Sequence, residues 1–174
     1  MTIFLTSDLY FGHQNIIKLC KRPFASSEEM DTAMIARWNE VVTPEDTIYV
    51  LGDVAYRQAS GAFPQIFEQL NGNKHLIYGN HDNNEVRNQP WQSVTNYREI
   101  NVDGKQIFLF HYPIRSWNGM YRGALHLYGH EHGNVPNFSN CCDIGVDCWN
   151  FYPVTLQQIG ERIAGLPKWV AQTD

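Results

Sequence analysis

The sequence has no CxxC pair. Its four cysteines, Cys20, Cys141, Cys142 and Cys148, stand at spacings that exclude a zinc site built from paired thiolates. The opening MTIFLTSDLY lacks the basic-then-apolar pattern of a secretory leader, so free thiols and a cytoplasmic location are expected. No run of about 18 apolar residues occurs, so no membrane span is read. Positive charge is scarce: 13 Lys and Arg against 18 Asp and Glu give a net charge of -5. That balance argues against a broad nucleic-acid surface but permits a local basic pocket. There is no repeat, low-complexity tract or linker. The 174 residues are read as one domain, 1–174, long enough for a core.

Short apolar runs alternate with helical patterns. Ile3 to Thr6 reads as a first strand, and His13 to Cys20 as a short helix stopped before Pro23. Ser26 and Glu29 form a capping-box pattern that opens a helix with Ala33, Met34, Trp38, Val41 and Val42 on its packing face. TIYVLGD is a buried strand, a helix spans about Phe63 to Leu70, and KHLIYGNHD is the next strand. REINVDGKQIFLFHYP reads as a hairpin turning at Asp103-Gly104. LHLYGHEH is a further strand, DIGVDCWNFYPVTL a late one, and Thr155 with Gln158 caps a last helix.

Polar residues gather just past successive strands, the edge where open α/β sheets bind ligands. They are Asp8, Asp53, Asn80-His81-Asp82, His111, His130 and His132. Oxygen and imidazole donors in this mix suit Mn, Fe, Zn or Co better than a thiolate site. Two such ions can clamp a phosphoryl group and activate a water between them. His81, beside Asn80, is placed to protonate a leaving oxygen. On one continuous strand His130 and His132 would share a face.

In order, Asp8-Leu9-Tyr10, Gly52-Asp53, Gly79-Asn80-His81-Asp82, His111 and Gly129-His130-Glu131-His132 resemble the motifs of the calcineurin-like metallophosphoesterase superfamily, in particular its small bacterial and phage members. The resemblance implies a four-layer αββα-type sandwich of two mixed β-sheets flanked by helices, in agreement with the pattern reading. It also implies two divalent ions, manganese foremost, with iron, zinc, cobalt or nickel as alternatives. Asp53 would bridge them, Asp8 and His132 would serve the first position, and Asn80, His111 and His130 the second. His81 would be the acid or transition-state stabiliser, oriented by Asp82.

One motif departs from the family. Asp-x-His is usual at the first position, and here Tyr10 replaces the histidine. Tyr10 could ligate as a phenolate, favouring Fe(III). Tyr56 could ligate instead, at the GDxxY spacing of purple acid phosphatases. Or the first ion is held weakly. His13 is a further candidate to replace the missing ligand or to contact phosphate.

After His111, Arg115 and Arg122 offer forked donors, Tyr112 and Trp117 offer ring faces, and Asn118 an amide. Arg115, Trp117 and Asn118 are therefore candidate substrate contacts. His75 and His126 read as structural, and Trp149, Phe151 and Tyr152 as loop anchors. The expected activity is hydrolysis of a small phosphoester, a diester and nucleotide-like, with no membrane or obligatory protein partner. Phosphomonoesterase and nuclease activities are alternatives. So is a non-catalytic protein-binding scaffold, in the manner of the retromer subunit with a phosphoesterase fold.

Overall fold

The computed structural model describes residues 1–56 and 61–170. Two mixed sheets face each other. The first runs in the order β4-β3-β2-β1-β9, from Ser93–Thr95 (β4), Asn73–Ile77 (β3), Thr47–Val50 (β2), Ile3–Thr6 (β1) and Val154–Thr155 (β9). Its first four strands are parallel and β9 is antiparallel. The second holds Tyr97–Val102 (β5), Lys105–Phe110 (β6), Leu125–Tyr128 (β7) and Cys141–Asp143 (β8) in sequence order. β5 and β6 form the expected hairpin, turning through Asp103 and Gly104 at φ 51° and 79°, as a type I′ turn requires.

Side-chain alternation along the strands sorts the core into layers. Leu5, Tyr49, Leu51 and Ile77 of the first sheet meet Ile107, Leu109, Leu125, Leu127 and Cys142 of the second. Phe4, Ile48, Val50 and Leu76 point the other way, toward helices α1 (Gln14–Leu19), α2 (Ser27–Val41), α3 (Ala62–Gln69) and α4 (Asn84–Arg87). The last helix, α5 (Leu156–Ile163), buries Ile159 and Ile163 at the inter-sheet core. The outer face of the second sheet is covered by the 3-10 turn Met120–Arg122 and by Trp169, over Tyr128 and Cys141. The α/β sandwich of two mixed sheets flanked by helices is thus as expected, with a thin fourth layer.

Local signals explain most boundaries. Ser26 Oγ accepts the Glu29 N–H at 3.2 Å, although the Glu29 carboxylate turns back to the Ala25 N–H and not to Ser26. Thr155 and Gln158 make the full reciprocal capping box. Along α2, Met30, Met34 and Trp38 are buried, and the Trp38 indole N–H reaches the Asn71 carbonyl at 3.0 Å. Trp149 and Phe151 are buried loop anchors, and all four cysteines are free. No helix among the described residues is long and apolar enough to cross a membrane.

Two expectations need correction. The LHLYGHEH strand stops at Tyr128, so His130 and His132 lie in a turn. The single late strand is two short ones, β8 and β9, in different sheets, parted by the 3-10 turn Val146–Cys148. That turn is held by Arg22. Its guanidinium donates to both Asp147 carboxylate oxygens at 2.8 Å, to the Leu9 carbonyl at 2.8 Å and to the Asp8 carbonyl at 2.7 Å. Arg22 is buried and so is most of Asp147. Removing one partner strands the other charge away from water, so Arg22→Met is expected to lower stability by about 3–5 kcal/mol in equilibrium urea unfolding. A loss below about 1 kcal/mol would reduce the pair to an ordinary surface bridge.

Candidate metal centre and active site

The parallel runs β1, β2 and β3 and the pair β6 and β7 carry the polar segments at their C-terminal ends. The chain then turns sharply. Asp8, Tyr10, Asp53, His130 and His132 all adopt left-handed backbone conformations, with φ of 58°, 56°, 53°, 71° and 49°. Non-glycine residues hold such conformations only where surrounding bonds enforce them. Here the Asp8 N–H donates to the Gly52 carbonyl and the Tyr10 N–H to the Asp53 carbonyl, both at 3.0 Å. The motif glycines have a steric reason as well. A Cβ at Gly79 would strike the Asp53 carboxylate, and one at Gly129 would strike Ser7 Oγ and the Asp8 carboxylate.

Asp53, His111 and His130 bring donor atoms within 4.8 Å of one another. The His111 ring is pinned, because Nδ1 lies 2.7 Å from the Leu51 carbonyl. A carbonyl only accepts, so Nδ1 carries a proton and Nε2 faces the cluster. There it meets Asp53 Oδ2 at 3.4 Å and Asn80 Oδ1 at 3.2 Å, while the His130 ring packs 5.1 Å away. Burial opposes an imidazolium at His111, but the Asp53 hydrogen bond and the charges of Asp8 and Asp53 outweigh it and raise His111 above its ordinary value, so oxygens and imidazoles converge there around a proton that a cation can replace. A divalent cation resolves that arrangement, and the donor set fits one of the second position. Tyr112 supports it, donating its hydroxyl to Asn80 Oδ1 at 3.1 Å.

The first position is different. The Tyr10 hydroxyl donates to Asp53 Oδ2 at 2.7 Å and so occupies an oxygen that a bridging role needs. Burial and then the Asp53 charge push the Tyr10 phenol further above its ordinary value, so it stays a hydroxyl. Burial alone would raise Asp53, but the His111 hydrogen bond and charge, the Tyr10 hydroxyl and the His81 N–H outweigh it and bring it to about 2. Asp8 is fully buried, accepts the His130 N–H on both oxygens at 3.1 and 2.9 Å, and is pushed up to about 7 by that burial. His132 turns its Nδ1 to Asp147 Oδ2 at 2.7 Å. Cys20, His132 and Asp147 form a second donor group, but Arg22 already neutralises Asp147. Burial opposes the His132 imidazolium, yet Asp147 and Cys20 outweigh burial and lift it to about 10.

His81 sits between the groups. Its N–H donates to Asp53 Oδ1 at 2.9 Å, and its ring packs 4.6 Å from Tyr56 and 5.6 Å from Tyr10. Asp82 does not orient that ring. Its Oδ2 accepts the N–H groups of Asp53 at 3.0 Å and Gly79 at 2.8 Å, and its Oδ1 accepts that of Val54 at 2.8 Å. Asp82 is a clamp between the β2 and β3 ends. His13 stacks on Tyr10 with ring centres 5.5 Å apart, and Tyr56 meets the site through its ring.

The three candidate substrate contacts lie elsewhere. Trp117 is buried on the outer face of the second sheet, its indole N–H on the Ala124 carbonyl at 2.9 Å and its ring beside His126. Asn118 donates to Glu99 at 2.9 Å, and Arg115 lines an outer cavity with His126 and Trp169. His75 and His126 are structural: His75 meets Ser93 Oγ, and His126 is buried between the Phe108 and Tyr112 carbonyls. Sequence reasoning missed Arg22, Cys20, Asp143 and Asp147. Asp143 accepts the Gly133 and Gly145 N–H groups at 2.8 and 2.7 Å and so shapes the turn carrying His132.

The chain is similar to several known proteins. The calcineurin-like phosphoesterase family profile matches residues 1–155. An uncharacterized protein of Methanocaldococcus jannaschii is 33% identical over 169 residues, spanning 92% of this chain and 90% of that protein. The gene 66 protein of Mycobacterium phage L5 is 33% identical over 179 residues, spanning 83% of this chain and 86% of that one. A protein of unknown function from Aquifex aeolicus shares the fold, with a TM-score of 0.72 at 24% identity over 92% of this chain and 98% of its own. The chain belongs to the calcineurin-like phosphoesterase family, and it is a metal-dependent phosphoesterase.

Proposed function

We propose that the chain is a phosphodiesterase working with one tightly held divalent ion, manganese in the first instance, at Asp53, Asn80, His111 and His130. The observation that carries this reading is the convergence of His111 Nε2, Asp53 Oδ2 and Asn80 Oδ1 opposite a Tyr10 hydroxyl that caps the same Asp53 oxygen. When bound, the ion supplies a Lewis acid for a phosphoryl oxygen and acidifies a water. His111 is held in one tautomer by Leu51, and Asn80 is held by Tyr112. His81, its backbone fixed on Asp53, gives a proton to the leaving oxygen. Asp8, Asp53 and His132 would hold a second ion, and the Tyr10 hydroxyl on Asp53 Oδ2 weakens that position.

Charge favours a diester. A monoester carries up to two negative charges near neutral pH, a diester one. Among the described residues, Arg22 is committed to Asp147 and Arg115 faces the outer cavity, which leaves the His132 imidazolium as one cation near the site, a match for the single charge of a diester. The scaffold reading draws on Tyr10 capping Asp53, but it leaves the grouping of Asp53, His111 and His130 without a purpose.

Three outcomes follow. His81→Ala is expected to lower kcat on bis(p-nitrophenyl) phosphate about 10²- to 10⁴-fold with metal content unchanged; an unchanged rate would refute the acid role and favour the scaffold. In metal analysis after manganese loading, the wild type is expected to hold one ion per chain and Tyr10→His two. Two ions in the wild type would overturn the weak first position. The kcat/KM for bis(p-nitrophenyl) phosphate is expected to exceed that for p-nitrophenyl phosphate, and clear monoester dominance would remove the diester assignment.

A further inference from the structure

A cavity of about 400 Å³ opens beside the metal centre, and its size falls within the range of about 300–1,000 Å³ typical of small-molecule sites. His81 and Tyr10 form its inner wall, Tyr56 one side, and α1 the other through Asn15, Ile16 and Leu19. None of Asn80, His111 or His130 lines it. It therefore begins where the acid stands and runs away from the second-position ligands, with His13, Cys20 and His132 completing its wall.

Away from His132 and Cys20 its walls are mostly rings and aliphatic carbon. The Tyr56 ring meets His81 edge-on at 4.6 Å and Tyr10 edge-on at 6.3 Å. Ile16 and Leu19 lie three residues apart on one face of α1. Leu19 stays 73% exposed at this border, next to a strongly polar centre. Asn15, also exposed, adds an amide to the same wall. The replacement of histidine by Tyr10 thus has a second consequence: its ring gives the cavity an apolar inner surface.

We propose that this cavity receives the leaving group of the diester, and that the group is a planar aromatic ring, a nucleobase in the natural substrate. The assignment rests on the phosphodiesterase reading above. In the reaction, water adds its oxygen to phosphorus, the bond from phosphorus to the leaving oxygen breaks, and His81 delivers a proton to that oxygen. The alcohol so formed departs on the His81 side, into the cavity. Ring faces there bind any base by stacking, and Asn15 supplies edge hydrogen bonds.

The test compares two monoesters of equal charge on the manganese-loaded full-length enzyme by calorimetry. Adenosine 5′-monophosphate carries a base beyond its ester oxygen, and methyl phosphate does not. The wild type is expected to bind adenosine 5′-monophosphate about tenfold or more tightly than methyl phosphate, as base stacking implies. Leu19→Asp is expected to bring the two within about threefold while leaving methyl phosphate unchanged, and the milder Leu19→Ala to fall between. Equal affinities in the wild type, or a preference that survives Leu19→Asp, would overturn the assignment. Binding is read without turnover, so absent hydrolysis of bis(p-nitrophenyl) phosphate would count against the phosphodiesterase reading separately.

Discussion

Three backbone N–H groups converge on the carboxylate of Asp82, and the site depends on that clamp. Gly79 belongs to the turn after β3, Asp53 and Val54 to the turn after β2. Hydrogen bonds to a charged group contribute about 1.5–3 kcal/mol each, enough to hold the left-handed Asp53 backbone in place. Once Asp53 is fixed, its two oxygens have definite partners. Oδ1 takes the His81 N–H, and Oδ2 faces both Tyr10 and His111. One carboxylate thereby sets the positions of Asp53, the His81 backbone and the Tyr10 hydroxyl.

Much of the site was legible because the fold repeats one device: a buried strand, then a tight turn, then a polar side chain. The apolar runs around Ile48 and Leu76 announce the strands, and Asp53 and Asn80 stand directly after them. Cap signals at Ser26 and Thr155 and the Asp103-Gly104 turn are local and were read as such. Residues whose roles depend on distant partners were not legible. Arg22 and Asp147 are 125 positions apart, and no local pattern links them. Trp117 looks in sequence like a platform for a base, yet its indole closes on Ala124 only seven residues away and packs into the outer core. Asp82 sits beside His81 in sequence, which suggests an orienting partner, but the turn aims its oxygens at backbone.

Tyr10 is best understood through charge. Asp8 and Asp53 are both fully buried, and two buried carboxylates side by side need compensation. A two-ion site would supply it with metal. In this chain the compensation is divided among smaller donors. Asp53 has the Tyr10 hydroxyl, the His81 N–H and His111, which together keep it ionised. Among the described residues Asp8 has the His130 N–H as its carboxylate's one hydrogen-bond donor, and burial lifts it to about 7, where it can carry a proton.

His132 completes this pattern. Burial opposes a charge on His132, but Asp147 and Cys20 outweigh it and favour the imidazolium. That cation lies on the side of the cluster where the first ion's charge would otherwise fall, and its attraction for Asp8 is one of the terms that lower the Asp8 carboxyl against burial. Arg22 extends the balance outward by neutralising Asp147 while its guanidinium also holds the carbonyl of Asp8. A hydroxyl and an imidazolium thus supply part of the compensation that a first ion would otherwise give. A hydroxyl binds one carboxylate oxygen weakly and directionally, so the substitution leaves Asp53 Oδ1 on His81 and the His111 side of the cluster intact. On the proposed reading the loss is confined to the first position, because Asp53, His111 and His130 stay grouped with Asn80 beside them.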